Sequence, residues 1–163
     1  MGFFDLLRRG KKLTKFQEEQ IINCRRIFSE SMEIMYKTAD IDTFLSRYGV
    51  AEEAIYEAGR VAGENYPCLN GITPKEALDT LHNDMSSVLI PCIDRYMDKQ
   101  TVRICNLVRG QVSKAKALEV IAENYQEKIP KNCMDHWKWR IFKLVQRLER
   151  LEESEKTAKL SKR

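Results

Sequence analysis

The chain has 163 residues, 43% of them hydrophobic and 32% charged, with a formal net charge of +4. That length suits one ordinary domain able to bury a core without disulfide or metal staples. The longest uncharged apolar stretch, around Met85–Ile93, is far short of the ~20 residues that a membrane-spanning helix needs. The charge is unevenly spread. Residues 1–15 carry five Lys/Arg against one Asp, and residues 156–163 carry four Lys/Arg and no acid. The stretch between them, 16–155, holds 19 basic and 23 acidic side chains.

This division predicts a basic N-terminal tail (1–15), a helical bundle domain (16–155) and a basic C-terminal tail (156–163). The N-terminal tail pairs aromatic residues with charge. Phe3 and Phe4 precede Arg8, Arg9, Lys11, Lys12 and Lys15, a set suited to weak contact with an anionic surface. It does not read as a secretory signal, because its apolar patch is short and its charges follow that patch. Gly2 lacks the Ser/Thr that a myristoylation motif needs, since position 6 is Leu6.

Five helices are predicted in chain order. The first covers about Thr14–Lys37, with Ile21, Cys24, Phe28 and Met35 on one stripe. The second follows Asp40 and Asp42, either of which caps it, and carries Phe44, Leu45 and Tyr48 before a bend at Gly49. Beyond that glycine, Ala51, Ala54, Ile55, Ala58 and Ala62 form a small-residue face. The stretch 63–73 is a loop, with Pro67 and the turn signal Asn70-Gly71. Thr73-Pro74-Lys75-Glu76 then has the pattern of a capping box that opens the third helix. Pro91 should kink or break that helix, with a second segment running to about Arg109. The fourth starts near Ser113 and ends by Pro130. Asn132 is expected to cap the fifth, where Met134, Trp137, Ile141, Leu144, Leu148 and Leu151 form a heptad-like seam. Glu152–Lys156 and Glu155–Lys159 are favourably spaced beyond it. The fold class is all-α, a single-domain bundle of five or six helices with essentially no β-sheet.

The segment Glu30–Glu53 resembles part of a group of uncharacterised helical proteins from Gram-positive bacteria and their mobile elements. The likeness rests on Glu30-Ser31, Thr38, Asp42-Thr43-Phe44 and Ser46-Arg47-Tyr48. It implies a bacterial cytosolic origin and carries over no functional residue.

Candidate chemistry is sparse. Asp79-x-x-His82 and Cys133-x-x-His136 each place two metal-ligand types one helical turn apart. Combined, they would make a small metal-binding protein or metal-dependent enzyme. The pairs lie on different predicted helices, and neither has the Glu-x-x-His pattern of di-iron bundles. The plainer reading is a surface His82 and a part-buried Cys133. Cys24, Cys68, Cys92, Cys105 and Cys133 form no C-x-x-C motif and read as reduced thiols in a cytoplasmic protein. No nucleophile-elbow, phosphate-loop or zinc-protease motif occurs. No catalytic residue and no cofactor is assigned.

The basic tails suit nucleic acid bound without sequence specificity, although the acidic body would oppose a duplex. The sharper feature is the fifth helix. Two residues on a helix are about 200° apart, so Trp139 points away from the seam residue Trp137, with Phe142 one turn further on. Either this helix is central in the bundle, or Trp139 and Phe142 meet another molecule. The leading expectation is a non-enzymatic interaction or adaptor protein. Its partner would be an unknown protein or a second copy, with weak tail contact to an anionic membrane or nucleic acid.

Overall fold

The computed structural model describes residues 12–107 and 113–162. They form α1 (Lys15–Lys37), α2 (Ile41–Ala62), α3 (Pro74–Leu107), α4 (Lys114–Tyr125) and α5 (Met134–Ser161). Short 3₁₀ turns at Gln126–Lys128 and Lys131–Cys133 join α4 to α5. Among the described residues there is no strand, and the one β-bridge links Leu69 to Ile72. The fold is all-α, as the periodicity requires. None of these helices is long and apolar enough to cross a membrane.

Within this fold the chain divides into two compact units, Met1–Lys37 with Asp42–Met85, and Thr38–Ile41 with Ser86–Arg163. In the first, Ile21, Cys24 and Met35 of α1 are buried, along with the small-residue face of α2. Ala51 and Ala58 of that face have no exposed surface. Thr14 and Gln17 form a reciprocal capping box at the start of α1. The Thr14 N–H donates to Gln17 Oε1 at 3.0 Å, and the Gln17 N–H donates to Thr14 Oγ1 at 3.2 Å. Thr73 and Glu76 repeat the device at α3, with both bonds at 3.1 Å. Between α2 and α3, Asn70 and Gly71 have φ of 55° and 87°. Two positive φ values in succession are the mark of a type I′ turn. Leu69 and Ile72 exchange both backbone hydrogen bonds across it.

In the second unit, Leu89, Cys92, Ile93 and Met97 of α3, Leu118 of α4 and Trp137 and Leu148 of α5 are all but fully buried. Tyr96 lies between two rings, its centroid 4.9 Å from that of Tyr125 and 6.2 Å from that of Trp137. Arg95 Nε donates to the Thr38 carbonyl at 2.9 Å.

The structure corrects or sharpens five sequence expectations. First, of the two outcomes expected at Pro91 the break does not occur: α3 is one helix of 34 residues running through it. An interior proline costs about 3 kcal/mol, whereas each large apolar side chain buried recovers about 1.5–3 kcal/mol. Leu89, Cys92 and Ile93 flank Pro91 and are fully buried, so packing outweighs the lost backbone bond. Second, Gly49 leaves α2 unbroken, as its continuing small-residue face required, and its missing side chain faces open space. Third, Asn132 does not cap α5. It lies in the 3₁₀ turn that follows Pro130, and its side-chain amide donates to Ser86 Oγ. Fourth, the seam of α5 ends at Leu148, because Leu151 is 48% exposed. At this level the α5 residue that meets the start of α4 is the next one, Glu152, so Leu151 stands to the side of the contact. Fifth, Glu152 and Glu155 turn to the start of α4 instead of pairing along α5. Glu152 accepts from Ser113 Oγ at 3.2 Å and from the Lys114 N–H, and Lys114 Nζ lies 3.7 Å from Glu155. Carboxylates belong there, where a helix start presents unbonded N–H groups.

Candidate interaction surface

Both ends of the α5 body are pinned within its unit. At the far end, Glu152 holds the start of α4. At the near end, His136 Nε2 lies 2.8 Å from Asp94 Oδ1, and the Arg140 guanidinium donates to Asp98 at 2.7 Å. Arg140 Nε also sits 3.0 Å from Asp94, an ion contact without hydrogen-bond alignment. The spacing explains the match. Asp94 and Asp98 are four apart on α3, and His136 and Arg140 are four apart on α5, so each pair occupies one helix face. Sequence reasoning missed this clamp, although the paired i,i+4 spacings could have revealed it.

With the inner side of α5 fixed, its two tryptophans separate. Trp137 is 0% exposed against Tyr96, whereas Trp139 is 52% exposed and Phe142 is 58% exposed. The Trp139 ring is 5.8 Å from His136, tilted at 39°, so the clamp also supports the outward indole from one side. Lys138, Glu149 and Arg150 are exposed beside these aromatics. Among the described residues, these three make no ion pair.

The four metal candidates are used otherwise. Asp79 is exposed. His82 is bonded to Glu52 at 2.7 Å, with the Tyr48 ring 6.4 Å away. Cys133 is fully buried and His136 belongs to the Asp94 clamp. Among the described residues no group of three or more His, Cys, Asp or Glu side chains is placed to hold a metal ion.

Cys24, Cys68, Cys92 and Cys133 are buried, and burial pushes each thiol pKa up, to about 11 for Cys92. A catalytic thiolate needs the opposite shift. Cys105 is exposed. An open groove of about 440 Å³ lies between α2 and α3, floored by Ile55, Gly59 and Leu78. Its polar groups are Tyr56, Arg60, Glu64 and Lys75, and Arg60 is already bonded to Glu57.

Phe3, Phe4, Arg8, Arg9 and Lys11 lie outside the described residues. Lys12 and Lys15 are exposed. The basic C-terminal residues continue α5, which stays helical to Ser161 with Lys156 and Lys159 exposed. No family model matches the chain, and no curated protein or solved structure is similar to it.

Proposed function

We propose that this chain is a non-enzymatic helical interaction protein whose contact surface is the outer face of α5, centred on Trp139 and Phe142. One observation carries the reading. Trp139 and Phe142 stand more than half exposed on a helix whose other side is fully committed to the core through Trp137, Leu144 and Leu148. Large aromatic side chains left in water forgo burial worth about 1.5–3 kcal/mol each, and they are favoured anchors of interfaces. The pinning of α5 by Asp94 and Glu152 favours this role, because a rigid helix loses little freedom on binding. The basic residues of 1–15 and 156–163 add weak, salt-sensitive attraction to an anionic partner or surface.

The test is a photo-crosslinking residue placed at position 139 in cells, with one at exposed Glu123 of α4 as control. Adducts to protein are expected at 139 well above the level at 123. Equal, background-level labelling at both positions would overturn the proposal. Chains lacking residues 1–11 should give the same adducts in lower yield if the tail assists docking.

A further inference from the structure

We infer that the molecule seated on this face is a second copy of the chain, with the two α5 helices antiparallel about a twofold axis beside Phe142. This rests on the reading of Trp139 and Phe142 as a contact surface and names its occupant. The argument comes from the charges around the aromatic pair. On the inner side of α5, Arg140, Glu152 and Glu155 are all paired within the chain. On the outer side, Asp135, Lys138, Glu149, Arg150 and Glu153 are exposed and, among the described residues, without an ionic partner.

The placement of Lys138, Glu149 and Arg150 is self-complementary. Residues eleven apart on a helix are about 20° from eclipsed and about 16 Å apart along the axis. Trp139 and Arg150 are related in this way and form one strip. Lys138 and Glu149 are also related in this way and form a second strip, on the other side of the face. Phe142 lies between the two strips, nearer the second. The midpoints of the two strips differ by a single residue, near 143–145, so one perpendicular twofold axis serves both. A twofold of this kind keeps each strip on its own side and reverses its direction. Arg150 of one copy then meets the indole of Trp139 of the other, a cation–π arrangement. Lys138 of one copy meets Glu149 of the other. Each contact occurs twice, as an isologous interface requires, and the two Phe142 rings adjoin near the axis.

Other occupants fit less well. Glu149 and Glu153 on this face would be repelled by an anionic lipid surface, which attracts faces lined by Lys and Arg. Lys143 lies beside the axis and close to its own symmetry copy, and Asp135 of one copy falls opposite Glu153 of the other toward each end of the overlap, because the two are five full turns apart with the same midpoint; these like-charge contacts keep the pair weak.

The test uses the full-length chain in analytical ultracentrifugation over about 5–500 μM, a span that brackets micromolar self-association. The mass should rise toward twice that of one chain. Trp139→Ala should weaken association by about tenfold or more, as loss of an interface anchor does. Lys138→Glu and Glu149→Lys should each weaken it by about fivefold, from two lost ion pairs per dimer. The double variant K138E/E149K should return to within about threefold of the parent, because each lysine again faces a glutamate. Lys143→Gln should tighten the pair.

A chain that stays monomeric over the whole range overturns this inference. So does a dimer indifferent to W139A, or one that the charge swap does not rescue. Adducts at position 139 to a different protein, beside a monomer in solution, would sink the dimer and leave the contact-surface reading standing. Background labelling at 139 would sink both.

Discussion

Trp137 and Trp139 are two residues apart on α5 and meet opposite environments. The first indole is sealed against Tyr96, and the second stands half in water beside His136. Their roles should separate in stability measurements. Trp137→Ala removes a fully buried side chain and is expected to cost about 3–5 kcal/mol. Trp139→Ala should cost less than about 1 kcal/mol, as exposed substitutions do. Urea unfolding of both variants checks this. In W137F the remaining indole should be readily quenched by acrylamide, and in W139F it should be shielded.

Ser31 is 0% exposed in the middle of α1, and its hydroxyl has no hydrogen-bond partner. A buried, unbonded polar group costs about 1–3 kcal/mol relative to an apolar group of similar shape. Ser31→Ala also improves helix propensity. The variant is expected to be more stable by about 1 kcal/mol, a rise of about 2–4 °C in Tm for a chain of this size. A lower Tm would mean that the hydroxyl is bonded in solution.

Much of the fold is legible in the sequence, because local chemistry determines it. Thr73 and Glu76 cap α3 through bonds that reach only three residues. Asn70-Gly71 makes the turn its positive φ values demand. Trp137, Leu144 and Leu148 follow the seam. The misses share a physical cause. Continuity of α3 through Pro91 depends on burial of Leu89, Cys92 and Ile93, which is non-local and overrides the local cost. The exposure of Leu151 depends on which residue of α5 meets the start of α4, and that residue is Glu152. The Asp94–His136 clamp joins residues 42 apart, beyond any local pattern. Of the contact surface, the outward direction of Trp139 was legible from the helical angle, but the choice between central burial and exposure needed the neighbouring helices.

Gly49 lies inside α2 and nothing stands within 4 Å of the place its side chain would fill. Its conformation is not the left-handed one that only glycine tolerates, so the residue serves no packing or turn requirement. Gly49→Ala should stabilise the chain by about 0.5–1 kcal/mol through a less entropic unfolded state. Gly63 ends α2 with φ of 95°, and there Gly→Ala should destabilise. A thermal scan of the two variants side by side tests the contrast.

The five thiols should divide four to one. Cys105 is exposed and the other four are buried, so an aromatic disulfide reagent should titrate one thiol rapidly at neutral pH. The remaining four should react only on unfolding. Burial has a second consequence at high pH. Cys92 has its pKa raised from 9.0 to about 11, so the folded chain holds that proton more tightly than the unfolded chain does. The associated stability is fully present below about pH 9 and is lost as pH rises toward 11, by about 2–3 kcal/mol at 1.36 kcal/mol per unit. Cys24, Cys68 and Cys133 are shifted in the same direction and steepen the loss. Cys92→Ala should unfold at lower urea concentration at pH 7, since it leaves a cavity. Its stability should fall less steeply than the parent's between pH 9 and 11. Equal slopes for the two chains would show that the Cys92 thiol does not hold its proton through folding.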